Sequence, residues 1–429
     1  MDTLKVAIAG LGTVGAGLLK LLQDNHELLA ARCGRPVEVT AVSARDRRRD
    51  RGVSIDGFAW YDDPVLMARE ADADVLVELI GGSDGVAKAA VEAAIAAGRH
   101  VVTANKALLA IHGSALAKAA EATGVSLAYE AAVAGGIPIV KALREGLAGN
   151  DVTRVFGILN GTCNYILTEM RATGRAFDDV LAEAQDLGYA EADPSFDIDG
   201  VDAAHKLAIL TSIAFGREVD FDGISTEGIR HITPLDIAYA EELGYRIKLL
   251  GIARKTEHGV EQRVHPCMVR RDHPIAHVEG VLNAVVAGGN FVGDTVYEGS
   301  GAGAGPTASA VMADLVDIAC ERYSPTFGIP AARLKKAETA ALERHVGEYY
   351  LRLHVIDRFG VMADLTSVFR DERISLEAML QRGRDPDEIV PVVFITHETD
   401  EASLRRALER ISALDHVVEP PRMIRIEPL

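Results

Sequence analysis

Cysteine is scarce: four in 429 residues, at Cys33, Cys163, Cys267 and Cys320. None stands in a C-x-x-C pair or at a metal-ligand spacing, so no disulfide framework is expected and a reducing compartment fits. Positive charge is also short. Lys and Arg number 45 against 63 Asp and Glu, a formal net charge of −18. That opposes non-specific binding to nucleic acid or an anionic membrane, where phosphates demand clustered Lys and Arg. Neither partner is expected, although a local basic patch can still take a small anion. No apolar run reaches the ~18 residues of a membrane span without a charge or glycine. The first residues, MDTLKVAIAGLG, lack the basic and apolar regions of a signal peptide. A cytoplasmic protein is the expectation.

What is present is globular composition, 48% hydrophobic and 25% charged, enough for a large core. At roughly 150 residues per domain, the length suggests about three domains. Residues 4–9 read as a short buried strand, followed by a glycine-rich turn and helical spacing over 14–22. Residues 37–42, 74–80 and 100–103 read as further strands, with an alanine-rich helix over 86–97. Strands alternating with helices predict a parallel doubly wound sheet over the first ~130 residues. A different texture begins near residue 131. Here 155–159 reads as a strand ending at Asn160-Gly161, and 162–171, 178–187 and 198–215 carry helices. Gly188 is placed to cap the second. Strands at 247–253, 261–269 and 283–287 predict a separate sheet, and 314–320 lies in one more helix. The charged, alanine-rich stretch 331–344 reads as a connector helix. Beyond it, strands at 349–356, 375–381, 389–396 and 417–426 alternate with helices at 361–370 and 401–412. The order βαββαβ is a ferredoxin-like unit.

The first motif is Gly10-Leu11-Gly12-Thr13-Val14-Gly15, a G-x-G-x-x-G between a strand and a helix. Gly10 permits the tight turn, and Gly12 lets backbone approach a pyrophosphate. Gly15 allows close helix–strand packing, with the helix N-terminus facing the anion. The alternative is a structural glycine turn. The second strand ends Val42-Ser43-Ala44-Arg45-Asp46 with no carboxylate directly at its end. A hydroxyl and a guanidinium suit a 2′-phosphate, which favours NADP over NAD. Asp46 keeps NAD open, and Arg47 to Arg51 also fit a solvated loop. Lys106 follows a strand on the carboxyl edge of the sheet and either reaches cofactor or substrate or is a surface lysine. Gly161 and Thr162 open a helix whose N–H groups either hold a substrate carboxylate or form a plain cap. Cys163 reads as a packing residue.

The densest segment runs GYAEADPSFDIDGVDAAHK from Gly188 to Lys206. Asp202 and Lys206 are four apart and share a helix face, while Glu191 and Asp197 lie on the approaching loop. Carboxylates suit a substrate ammonium, and a partly buried lysine suits proton transfer. An acidic loop beside a surface ion pair is the bland alternative. The run from Glu298 to Thr307 is a second glycine-rich loop before a helix.

Taken in order, GLGTVG, VELIGG, TANKALLA, EAAVAGGIPIV, NGTCNYILTEM, the long acidic segment and GSGAGAGPT resemble the homoserine dehydrogenases over essentially the whole chain. The resemblance implies reversible reduction of L-aspartate 4-semialdehyde to L-homoserine with NADPH or NADH, on the way to threonine, methionine and isoleucine. It implies Lys206 as proton donor, Lys106 as a second active-site lysine and Asp197 as a further active-site carboxylate. Glu191, Asp202, Tyr189, Gly161 and Thr162 fall with substrate. Thr13, Val14, Arg45, Gly188 and Gly303 fall with cofactor, beside Gly10, Gly12, Gly15 and Lys106. A monovalent cation, usually sodium, is implied on main-chain oxygens of Glu130, Val133, Gly135 and Ile137. The last ~80 residues resemble an ACT regulatory unit of the ferredoxin-like kind, with Phe359 where proline is frequent. Threonine is then the expected effector, with a purely structural dimerisation unit as the alternative.

The expected class is α/β. A Rossmann-type dinucleotide domain spans 1–135, with a helix returning near 306–325. An α+β substrate and dimerisation domain spans 136–305, a connector 326–348 and the ACT-like unit 349–429. A homodimer or homotetramer is expected. The rival functions are another NADP-dependent amino-aldehyde dehydrogenase and an inactive amino-acid sensor on the same scaffold.

Overall fold

Short runs of valine, isoleucine and alanine build the first sheet, because β-branched residues pack well on a pleated surface. The computed structural model describes residues 2–382 and 388–429. Strands β1 (Leu4–Ala9), β2 (Val37–Ser43), β3 (Ala59–Tyr61), β4 (Val75–Glu78), β5 (His100–Thr103) and β6 (Leu127–Ala128) pair in the order β3-β2-β1-β4-β5-β6. Every pairing is parallel. β1, β4 and β5 are buried along nearly their whole length, as strands covered by helices on both faces must be. The strand order reverses between β1 and β4, and at such a switch point the carboxyl ends open a crevice. The helix Ala304–Ala319 returns from far along the chain and packs on the helix Thr13–Asp24. Its Val311, Leu315 and Ile318 join Leu4, Val6 and Ile8 in one apolar cluster.

The second sheet contains β7 (Val152–Ile158), β8 (Ser225–Thr226), β9 (Tyr245–Thr256), β10 (Gly259–Arg270), β11 (Leu282–Gly289) and β12 (Gly293–Ser300). It also contains β13 (Val346–Ile356), β14 (Leu376–Gln381), β15 (Ile389–Thr396), β16 (Thr399–Asp400) and β17 (Arg422–Glu427). Its main path is β12-β11-β7-β9-β10-β17-β13-β15-β14. The middle sheet is separate from the first, as expected, but it is continuous with the strands of the C-terminal unit. β17 pairs parallel with β10, Cys267 opposite Arg425 and Val269 opposite Glu427, and antiparallel with β13. The C-terminal βαββαβ unit thus extends the substrate-domain sheet and covers what would be an open edge.

Three buried ionic clusters lie in and beside this junction. Arg263, fully buried, donates from Nη2 to both Glu427 carboxylate oxygens at 2.7 Å and also pairs with Glu261. Arg425 donates to Glu401 at 2.6 Å and to Glu227 at 2.9 Å. Arg352 donates to Asp236 at 2.7 Å, and the Tyr350 hydroxyl donates to the same carboxylate at 3.1 Å.

Several boundaries differ from expectation for physical reasons. Residues 331–344 form no helix beyond the single turns Ala331–Arg333 and Leu342–Arg344. Instead Val260 N donates to Glu338 O at 2.8 Å and Ala340 N to Val260 O at 2.9 Å, so the stretch runs extended beside β10. Tertiary pairing overrides alanine's helix preference. The expected helix over 198–215 begins at Val201, since Gly200 (φ +85°) separates it from the turn Ser195–Ile198. The last strand starts at Arg422 rather than 417, after Pro420-Pro421, which have no N–H to give a ladder. β12 is an additional edge strand, hidden in sequence by its polar, glycine-bearing run GDTVYEGS. No helix among the described residues is long and apolar enough to cross a membrane.

Candidate active site

The crevice at the carboxyl ends of β1 and β4 receives the glycine turn. Gly10 has φ +105°, and a Cβ there would lie 2.5 Å from Leu79 O. A Cβ on Gly15 would lie 2.2 Å from Gly10 O, so both positions exclude any side chain. Gly12 faces open space and caps the helix Thr13–Asp24 without a side-chain cap. Its first-turn N–H groups are left for an anion.

Beside this turn a cavity of about 470 Å³ is lined by Gly10, Gly12, Ser43, Arg45, Asp46 and Arg51, among others. Ser43 is buried at the end of β2, and Arg45 is exposed at the rim. Arg51 is not a solvated residue. Its Nε donates to Leu11 O at 3.1 Å and its guanidinium also reaches Asp46 O, folding the arginine loop onto the glycine turn.

A second cavity, about 610 Å³, continues from Thr13 and Val14 to the lysines. Gly200 and the i,i+4 spacing place Asp202 and Lys206 side by side on the helix Val201–Phe215. Lys206 Nζ donates to Asp202 Oδ2 and to Leu159 O, each at 2.7 Å. Lys106, at the start of the helix Lys106–Thr123, puts Nζ 3.0 Å from Asp202 Oδ1. Asn105 caps that helix by accepting from Leu108 N at 3.1 Å, which fixes where Lys106 emerges. Asn160 ties the group together. Its Nδ2 donates to Asp197 Oδ1 at 2.8 Å and Asp202 Oδ2 at 2.9 Å, while its Oδ1 accepts from Cys163 N.

The electrostatics follow from this packing. Burial alone pushes the Asp202 carboxyl up, but Lys206, Lys106 and the hydrogen bonds outweigh it and hold the group well below the usual carboxylate range. Asp197 goes the other way: burial and the neighbouring Asp202 push it up. Burial lowers Lys106, yet Asp202, Asp197 and Glu191 more than reverse that and raise it. One ionised carboxylate therefore anchors two cationic side chains. An ammonium carries three hydrogens. Two of those on Lys206 go to Asp202 and Leu159, which leaves one for the cavity that Lys206 lines.

Gly161, Thr162, Gly188, Tyr189, Asp197 and Gly303 line the same cavity. Thr162 Oγ1 donates to Tyr189 O at 2.7 Å, and Gly188 N donates to Gln185 O at 3.0 Å to close its helix. Glu191 is exposed and outside the lining, its carbonyl held by Gln185 Nε2 at 3.0 Å. Gly135 lines the cavity, whereas Glu130, Val133 and Ile137 are buried behind it. Ala134 and Gly135 both take positive φ, 53° and 47°, turning this stretch sharply. Cys163 is fully buried, donates from Sγ to Asp197 O at 3.3 Å, and its thiol is pushed up by burial. It is a packing residue, as read. Sequence reasoning missed the side-chain role of Asn160 and the anchoring of Arg51. An asparagine directly before a helix is a cap signal, and that signal alone could have drawn attention to Asn160.

Comparisons with known proteins bear on the whole chain. The profile described as the NAD binding domain of homoserine dehydrogenase matches residues 10–130, the homoserine dehydrogenase profile matches 138–316, and an ACT domain profile matches 349–416. A homoserine dehydrogenase of Pseudomonas aeruginosa is 46% identical over 438 residues, covering 100% of both chains. The chain belongs to the homoserine dehydrogenase family. It is an oxidoreductase acting on a CH–OH group with a nicotinamide cofactor, and its C-terminal unit is an ACT domain. A homoserine dehydrogenase of Neisseria gonorrhoeae is 45% identical over 435 residues, again 100% of both chains. The crystal structure of a homoserine dehydrogenase from Thiobacillus denitrificans superposes with a TM-score of 0.93 at 47% identity, covering 100% of this chain and 99% of that one. A hyperthermophilic archaeal homoserine dehydrogenase, solved in complex with NADPH, covers 76% of this chain and 100% of its own at 26% identity and a TM-score of 0.65.

Proposed function

We propose that the chain interconverts L-aspartate 4-semialdehyde and L-homoserine, with NADP preferred over NAD, in threonine, methionine and isoleucine biosynthesis. The observation that carries this reading is Lys206, held by Asp202 and Leu159 O with one hydrogen left for the cavity. The glycine turn, the uncapped helix start and Ser43 with Arg45 fit a phosphorylated dinucleotide. When bound, that cofactor supplies the hydride for the aldehyde carbon.

This chain's residues do the rest. As negative charge grows on the aldehyde oxygen, the Lys206 ammonium stabilises it and donates the proton. Asp202 remains ionised and keeps Lys206 aimed, and Lys106 adds a second positive charge beside it. Asp197 is held by Asn160 at the same wall, as a further active-site carboxylate. Gly161, Thr162 and Tyr189 bind the substrate together with Asp202 and Glu191. Gly188 and Gly303 flank the cofactor with Thr13 and Val14. The turn through Glu130, Val133, Gly135 and Ile137 offers neutral main-chain oxygens. Hard oxygen donors suit a monovalent cation such as sodium, and two positive-φ residues turn the chain sharply within this stretch.

The ACT domain takes threonine as feedback inhibitor, and the enzyme works as a homodimer or homotetramer in the cytoplasm. One assay tests the catalytic reading: homoserine-dependent reduction of NADP at alkaline pH. Turnover with other amino alcohols but not homoserine would point to a different amino-aldehyde dehydrogenase. No turnover at all would point to a sensor. Inhibition by added threonine tests the effector.

A further inference from the structure

Four asparagines are buried among the described residues, and three spend their amides inside the protein. Asn105 accepts from Leu108 N and donates to Gly82 O. Asn160 caps its helix and donates to two aspartates. Asn164 donates to Val278 O and Leu282 O and accepts from Lys248 Nζ. Asn283 is the exception. It is 1% exposed on β11, and neither its Oδ1 nor its Nδ2 has a partner.

Its surroundings point to a ligand. Asn283 lines the cavity that holds Lys206, Asp202 and Lys106. Its amide lies against Gly301 so closely that a Cβ there would be 2.1 Å from Oδ1 and 2.6 Å from Nδ2. A Cβ on Gly161 would be 3.5 Å from the same Oδ1. The amide therefore sits between the positive end of the helix Gly161–Thr173 and the second glycine loop. A buried amide with no partner is disfavoured unless something in the functional state satisfies it. A strand position needing only packing would take an apolar residue, as β11 does at Ala284, Val285 and Val286.

We infer that Asn283 is a substrate-binding residue, its amide N–H donating to the α-carboxylate of the amino-acid substrate beside the helix start. The assignment rests on the homoserine reading above. It makes Asn283 a determinant of amino-acid recognition, acting at the end of the substrate remote from the reacting oxygen. It also explains Gly301, whose hydrogen is what leaves room for the amide.

The test is steady-state kinetics of the full-length enzyme with L-homoserine and with 3-aminopropan-1-ol, which lacks the carboxylate. Asn283→Ala is expected to raise the homoserine KM about tenfold or more, since a hydrogen bond to a charged group is at stake. The KM for NADP and the kcat should stay within about twofold, because uniform binding is what is lost. Activity on 3-aminopropan-1-ol should be unaffected. Asn283→Asp keeps the shape but opposes the carboxylate, so its homoserine KM should rise further. It serves as the test if the alanine variant fails to fold. Unchanged homoserine KM in a folded variant, or a rise confined to NADP, overturns the inference. A wild-type enzyme inert toward homoserine would instead overturn the parent reading.

Discussion

Two clusters of buried charge invite comparison, one in the cavity and one where β10 meets β17. In the first, Asp202 serves Lys206, Lys106 and Asn160. In the second, Arg263 serves Glu427, Glu261 and His265. Both are buried, both mix signs, and each has one carboxylate, Asp202 or Glu261, held below its usual range by neighbouring cations. They differ in what is left over. Arg263 directs Nε, Nη1 and Nη2 all at protein acceptors and lines neither cavity described above. Lys206 keeps one hydrogen for an open cavity. Burial and shifted carboxylates are common to both clusters; the donor facing open space is what sets Lys206 apart and supports the role proposed for it.

The same contrast disposes of a tempting trio. His265, Cys267 and Glu427 gather donor atoms within 4.8 Å, close enough to suggest a metal. Yet His265 Nε2 accepts from Arg263 Nε at 2.9 Å, and both Glu427 oxygens accept from Arg263. The cluster is already saturated by a cation of its own.

The contrast can be broken from either side. Lys206→Ala should lower turnover by about 10²–10⁴-fold, the usual scale of a proton donor. Cofactor affinity should barely move, and near-normal turnover would remove Lys206 from the mechanism. Arg263→Met should do the reverse. It leaves Glu427 buried without its bidentate partner, so denaturant unfolding should show a loss of about 3–5 kcal/mol, while kcat per folded molecule persists. Arg45→Ala should raise the KM for NADP about tenfold, as expected for one hydrogen bond to a charged phosphate, and leave that for NAD unchanged. Equal effects on both would detach Arg45 from the 2′-phosphate.

The smallest effect is in the acid limb of stability. Burial pushes Glu261 up, but His345, Arg263 and Arg254 bring it down from its usual 4.5 to about 2. A carboxyl lowered by folding stabilises the protein above its unfolded value, and that contribution disappears as pH falls from 4.5 through about 2. Glu261→Gln should flatten the melting curve against pH across that window. An unchanged slope would mean the junction is not held by this charge.

Local features were the legible ones. The glycine turn, the alternation of strand and helix, and the Asp202–Lys206 spacing all depend on residues within a few positions of each other. The family resemblance located Lys106 and Gly303, and the fold brings both to the cavity. Illegible features depend on distant partners. Arg263 and Glu427 are 164 positions apart, so nothing in either neighbourhood announces the junction. Residues 331–344 carry helix-forming alanines but find backbone partners on β10 instead. Asn283 is a lone polar residue in the strand LNAVVAGG, and only its position on the cavity wall gives it meaning.

The pairing of β17 with β10 has a practical corollary. In chain order the ACT domain looks like a module that could be deleted. A deletion of everything beyond about residue 345 would remove Glu427, Arg425 and Glu401, baring the unpaired flank of β10 and depriving the buried Arg263 of its bidentate partner. Arg425 also grips Glu227. Two residues on, Ile229 N donates to Ile198 O at 2.9 Å, beside Asp197 in the cavity. A trimmed enzyme would therefore not be a deregulated catalyst. It would be an aggregation-prone fragment with a loosened cavity wall, and engineers seeking insensitivity to an effector should replace residues within the last domain rather than cut it away.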